Sequence, residues 1–329
     1  MQQVRLGSIG LGWWGKVLAE AVGKIPDVAI TSCYARGEAG RAAFAGQFGC
    51  RRAASLDDLL ADPDIDGVLI ATSHESHRSL IEQAAAAGKH VFVEKPLTTT
   101  VADGLASVEA AEAAGVLLQV GHQRRRNTIE RRLHQMITAG ELGDVEMVEA
   151  SQSIPNGFTM PDEAWRWDKE QSPLGSMASL GIHRVDSFHY LLGPVKSVFA
   201  FTRPGRTKPI DEATVLAFEF ESGAVGSLVT SFFVARVVEL TIAGTDATAF
   251  SRADGSILEV QKRGELSRTE IPLTAIDPVV DQLAEFARAI RGEAEVEVNG
   301  RVALEVIRVL EAATESARTR RAVDLEDYR

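Results

Sequence analysis

The chain has 329 residues, 45% of them hydrophobic and 25% charged, with a formal net charge of −11. That composition is ordinary for a globular protein, and the length exceeds one comfortable core, so two domains are expected. The acidic balance argues against nucleic acid or an anionic membrane as partner.

Two cysteines, Cys33 and Cys50, supply neither a disulfide framework nor metal-ligand spacing, as expected in a reducing cytoplasm. No apolar run approaches ~18 residues, so no membrane span is expected. "MQQVRLGSIG" is too short and polar for a signal peptide.

The first 122 residues alternate two patterns. "VRLGSIG", "VAITSCYA", "DGVLIAT", "HVFVEKP" and "VLLQVGH" read as strands. Between them "GKVLAEAVGKI", "GRAAFAGQFG", "HRSLIEQAAAAG" and "VADGLASVEAAEAAG" read as helices. Short apolar strands alternating with helices indicate a doubly wound parallel sheet covered on both faces. From residue 123 onward the pattern changes. "RNTIERRLHQMITAGELG" is an amphipathic helix, and from "VEMVEASQSI" to "SILEVQ" longer alternating strands are joined by turns such as "ESGA". These predict an α+β substrate domain whose mostly antiparallel sheet has one polar face. Two closing helices, "DPVVDQLAEFARAIRG" and "GRVALEVIRVLEAATESARTRR", are candidates to pack back on the first domain.

"GLGWWG" follows the first strand and opens the first helix. Gly10 permits a tight turn, Gly12 lets backbone approach a pyrophosphate, and Gly15 lets helix and strand pack closely. A dinucleotide would therefore lie along Gly10, Leu11, Gly12, Trp13, Trp14 and Gly15, the two tryptophans reading as packing residues. After the second strand, "CYARGEAGR" has Ala35 where an NAD-preferring sheet carries a carboxylate. Arg36 either contacts a 2′-phosphate, with Arg41 about one turn beyond, or is a solvated loop arginine. NADP(H) is therefore expected to be favoured over NAD(H). "VEKP" places Lys95, beside Glu94, at the strand end where open parallel sheets bind ligands; the following proline keeps it extended.

"SLGIHRVDSFHY" reads as a buried helix carrying Ser179, His183 and Asp186 on one face. Taken alone, that stripe is equally a satisfied core histidine or a reactive group. His74, His77, His122, His183 and His189 lack the accompanying cysteines or carboxylates of a zinc site, so no metal is expected. His189 reads as structural, and Arg125 and Arg126 as solvated charges at a helix start.

"GLGWWG", "ATSHESH", "VEKP", "QVGHQRRR", "WRWD" and "GSMASLGIHRVD" occur in the order and at the spacings of the glucose–fructose oxidoreductase/inositol dehydrogenase (Gfo/Idh/MocA) family, which the chain resembles over nearly its whole length. The resemblance implies a Rossmann domain followed by a domain on an open, largely antiparallel sheet. It implies an NAD(P)-dependent oxidoreductase acting on a sugar, polyol, sugar acid or related cyclic alcohol. It makes Lys95 and His183 the catalytic pair, with Asp186 orienting the imidazole. It extends the cofactor contacts to Thr72, Ser73, His74, His77, Glu94, Lys95 and His122. His122, Arg124, Trp165, Arg166 and Ser179 then join Lys95 and His183 at the substrate.

Ser179 stands where the family motif carries its first Asp, which leaves His183 one carboxylate poorer. Ser73 replaces a frequent proline, and Arg126 a common aromatic. The polar sheet face is where family members associate, implying a homodimer or homotetramer. The rival readings are a nucleotide-binding sensor without turnover, against which the presence of both Lys95 and His183 speaks, and a dihydrodiol-type dehydrogenase of the same family.

Overall fold

A computed structural model describes residues 3–328. Met1 and Gln2, which head the segment read above as lacking a signal peptide, lie outside the described residues. The chain forms two compact units: residues up to Gln123 together with Asp277–Leu304, and Arg124–Ile276 together with residues from Glu305 onward.

The first unit runs β1 (Val4–Ile9), α1 (Trp13–Val22), β2 (Val28–Tyr34), α2 (Glu38–Phe48), β3 (Arg51–Arg52), α3 (Leu56–Leu60), β4 (Gly67–Ile70), α4 (His77–Ala86), β5 (His90–Glu94), α5 (Val101–Ala114) and β6 (Leu118–Gly121). The strands pair in the order β3-β2-β1-β4-β5-β6, every pair parallel. All of β4 and β6 is buried, as expected of strands covered on both faces. The chain goes outward from β1 through β2 and then returns to β4 on the other side. Loops therefore diverge beyond the carboxyl ends of β1 and β4, the crevice where this topology binds ligands.

The second unit opens with α6 (Thr128–Thr138) and β7 (Val145–Ser153). A π-helical turn at Met177–Gly181 leads into α7 (Ile182–Leu192). Then follow β8 (Val195–Arg203), β9 (Ala213–Phe220), β10 (Val225–Ser231), β11 (Val237–Gly244), β12 (Ala247–Arg252), β13 (Ile257–Lys262) and β14 (Thr269–Glu270). α8 (Pro278–Ile290) belongs to the first unit, α9 (Gly300–Thr319) begins in the first unit and from Glu305 onward belongs to the second, and β15 (Val323–Asp324) closes the second sheet. That sheet has nine strands, antiparallel except where β7 meets β10. Phe188 of α7 meets Phe218 and Phe220 edge-on at 5.5 and 6.0 Å and anchors the helix on the buried face.

The other face departs from the expectation of a polar surface. Val229, Val215 and Phe201 are paired across β10, β9 and β8, and Val225 is paired with Met147 across β10 and β7. All five are more than a third exposed. Alternation put small polar residues beside them but did not remove a contiguous apolar row.

α8 completes the first core: Leu283, Phe286 and Ala287 pack with Leu6, Leu18, Leu69 and Phe92. Asp277 starts this helix by accepting from the Val279 and Val280 amides, with Pro278 at the first helical position. No helix among the described residues is long and apolar enough to cross a membrane.

Candidate functional site

In the first unit the glycine loop has the geometry its sequence called for. Gly10 has φ +90°, and a Cβ there would lie 2.4 Å from the Ala71 carbonyl oxygen. A Cβ on Gly15 would lie 2.1 Å from the Gly10 carbonyl, whereas one on Gly12 would meet no atom within 4 Å. α1 begins with no side-chain cap and no acidic residue in its first turn. Its amides and dipole suit a pyrophosphate, so the residues present fit a dinucleotide. Trp14 packs into the core, but Trp13 is 76% exposed, which corrects its reading as a packing residue: as first residue of α1 it projects outward. Leu11 packs beside Cys33 and Phe44.

At the end of β2 Arg36 is exposed. Arg41 does not extend into open solvent: it donates to the Ala35 carbonyl at 2.8 Å and twice to Glu38, at 3.0 and 2.5 Å, and lies 5.7 Å from the Tyr34 ring. Arg52 of β3 donates to the other Glu38 oxygen at 2.8 Å. Glu38 and Arg52 were not singled out from sequence. The only local signal was the three-residue spacing of Glu38 and Arg41 at a helix start.

Beyond β4, Thr72 accepts from the Ser76 hydroxyl at 2.7 Å, and Ser73 precedes a short turn at His74–Ser76. His77, expected at the cofactor, is fully buried; its Nδ1 lies 2.9 Å from the Pro96 carbonyl. Burial holds its pKa below the ordinary value, so the neutral ring carries one N–H, which donates to that nearer carbonyl. The ring thus braces the loop that follows β5.

Glu94 ends β5 and is 5% exposed. Burial pushes its carboxyl up to about 7, against the opposing pull of the Trp14 indole and the Lys95 ammonium. Gly121, paired with it on β6, makes room for the carboxylate: a Cβ there would stand 2.7 Å from Glu94 Oε1. Lys95 follows, half-buried, with a cis peptide to Pro96. His122 is buried just past β6.

In the second unit Ser179 and His183 are both buried, at 6% and 7% exposure. Ser179 lies inside the π-helical turn, so the regular α-helical spacing that put it in phase with His183 does not apply there. The Ser187 hydroxyl donates to the His183 carbonyl at 3.0 Å. Asp186 is wholly buried and accepts two bonds from Arg125, at 2.9 and 2.5 Å.

This overturns the reading of Arg125 and Arg126 as solvated: they are 5% and 2% exposed. The short turn that carries them packs inward, where Asp186 supplies the counter-charge for Arg125. Arg184 is likewise buried, bonded to Glu130 at 2.9 Å and Gln152 at 3.1 Å. Burial and the like charge of Arg184 pull the Arg124 guanidinium down to about 10. Arg166 lies over the Trp165 ring at 4.3 Å, and burial lowers its pKa. Among the described residues no group of three or more His, Cys, Asp or Glu side chains is arranged to hold a metal ion.

A parallel sheet with this strand order and this glycine loop defines a dinucleotide-binding domain, here followed by an α/β domain. Residues 4–122 match the model described as "Oxidoreductase family, NAD-binding Rossmann fold", and residues 134–325 match its companion, "C-terminal alpha/beta domain". The chain belongs to the Gfo/Idh/MocA family of NAD(P)-dependent oxidoreductases. It is 28% identical to D-xylose 1-dehydrogenase (NADP(+)) 2 of Haloferax volcanii, over 98% of each chain. It is 25% identical to 1,5-anhydro-D-fructose reductase of Ensifer adhaerens, over 87% of each. A crystal structure of a protein from Desulfitobacterium hafniense superposes with a TM-score of 0.95 at 29% identity, covering 99% of both chains.

Proposed function

We propose that this enzyme transfers a hydride between nicotinamide and a carbinol or carbonyl carbon of a sugar, polyol, sugar acid or related cyclic alcohol, with Lys95 and His183 as the catalytic pair. The observation that carries this reading is the end of β5. There a half-buried lysine stands beside a buried carboxyl whose pKa is pushed up to about 7, at the edge where this fold receives its ligands. The named activities of the xylose dehydrogenase and anhydrofructose reductase relatives support the substrate class.

A bound nicotinamide supplies or accepts the hydride; the remaining steps belong to the chain's own residues. In the oxidative direction His183 takes the hydroxyl proton as the carbinol carbon loses its hydride, and in reduction it returns that proton. Lys95 binds the same oxygen and stabilises the negative charge that develops on it. Asp186 and Arg125 hold α7 against the turn at 123–126, which fixes the backbone that carries His183. Arg124, Trp165 and Arg166 serve the substrate. NADP(H) is the favoured cofactor, with Arg36 as the phosphate contact. The exposed row of Phe201, Val215 and Val229 is covered by a second copy in a homodimer or homotetramer.

The test is a spectrophotometric screen at 340 nm over xylose, inositols, anhydro sugars and sugar acids, with both cofactors. Turnover of a carbinol by the wild type, lost in Lys95→Ala, is the expected result. Dinucleotide binding with no turnover of any of them would favour a sensor.

A further inference from the structure

Three charged groups form a closed cluster where β2 hands the chain to α2. Glu38 is exposed and presents both carboxylate oxygens to guanidiniums: Oε2 to Arg41, Oε1 to Arg52. Arg41 holds it below the usual carboxylate range, with Arg52 adding to the effect, so it is ionised at neutral pH. Arg41 is pinned a third time by the Ala35 carbonyl, and its side chain is only 14% exposed. The cluster sits at the end of the strand whose following loop meets the adenosine ribose in this fold. Two cations that could receive a 2′-phosphate are thus already engaged by one carboxylate, and that carboxylate repels a dianion.

We propose that Glu38 is a specificity-determining residue for the cofactor: by holding Arg41 and Arg52 it limits the enzyme's preference for NADP(H), leaving Arg36 as the one arginine of the loop outside the clamp. The inference rests on the dinucleotide-binding reading above. Neutralising Glu38 frees the donors that face it on Arg41 and Arg52, and removes one negative charge from beside the phosphate. NAD(H), with a bare ribose diol, gains nothing from either change.

The experiment is isothermal titration of NADP+ and NAD+ into the full-length wild type, Glu38→Gln and Glu38→Asp. In Glu38→Gln, NADP+ affinity should rise about tenfold while NAD+ stays within about twofold, because one charge–charge repulsion is lost. Glu38→Asp, which keeps the charge, should stay near the wild-type ratio. Adding Arg41→Gln and Arg52→Gln to Glu38→Gln should abolish the gain. An unchanged or lower NADP+/NAD+ ratio in Glu38→Gln would overturn the role of Glu38, whereas failure of the wild type to bind either dinucleotide would overturn it together with the reading it rests on.

Discussion

Asp186→Asn tests whether the polar stripe of α7 is held by a buried ion pair. The side chains of Arg125 and Asp186 are 6% and 0% exposed, and two hydrogen bonds join them. Asparagine keeps the shape and one acceptor but strips the counter-charge from a guanidinium that stays buried. Breaking such a pair from one side costs about 3–5 kcal/mol. The Tyr190 ring, 5.2 Å from the Arg125 guanidinium, offsets part of this. A cation–π contact is worth about 0.5–2 kcal/mol, so the net loss should be about 3 kcal/mol. Urea unfolding followed by Trp165 and Trp167 fluorescence, in a Trp13→Phe, Trp14→Phe background, reads the second unit. The double variant Arg125→Met, Asp186→Leu should recover at least half of the loss, since an apolar pair leaves no charge buried. A loss below about 1 kcal/mol in Asp186→Asn would refute the argument, because an uncompensated buried guanidinium cannot be that cheap.

Lys95→Ala and His183→Ala should each lower kcat by roughly 10²-fold or more while cofactor titrations stay near wild type, general acid–base roles being worth about that much; wild-type turnover in either would remove that residue from the chemistry. Arg36→Ala should weaken NADP(H) by roughly 10- to 100-fold and leave NAD(H) little changed, the size of one charge-assisted contact to phosphate. Fluorescence titration decides it, and equal effects on both cofactors would count against Arg36. Glu94 has its folded pKa raised from 4.5 to about 7, so its stabilising contribution is complete below about 4.5 and lost as pH rises through 7. Glu94→Gln should therefore gain on the wild type between pH 5 and 8, by up to roughly 3 kcal/mol, and parallel Tm profiles would show the group unshifted. Phe201→Glu with Val215→Glu should convert the assembled enzyme to monomer in light scattering; an unaltered mass, or a monomeric wild type, would place self-association elsewhere or nowhere.

Local chemistry determined much of this protein from the sequence alone. The alternation of short apolar strands with helices specified the parallel sheet, because strands buried on both faces leave no polar period. The spacing of Gly10, Gly12 and Gly15 specified the first turn, because a Cβ at Gly10 or Gly15 would collide with backbone. Which charges pair was decided only by tertiary structure. Arg124, Arg125 and Arg126 read alike as a run, yet Arg125 meets a carboxylate 61 residues away while Arg124 is desolvated beside Arg184. Glu38 looked like an ordinary helix-start acid until β3 brought Arg52 to it. Ser179 and His183 read as one regular helix, yet Ser179 sits in a π-helical turn and His183 in the α-helix that follows it. Periodicity records which side of an element meets the core, but a charge pair depends on distances between elements far apart in the chain, and those exist only once the elements have packed.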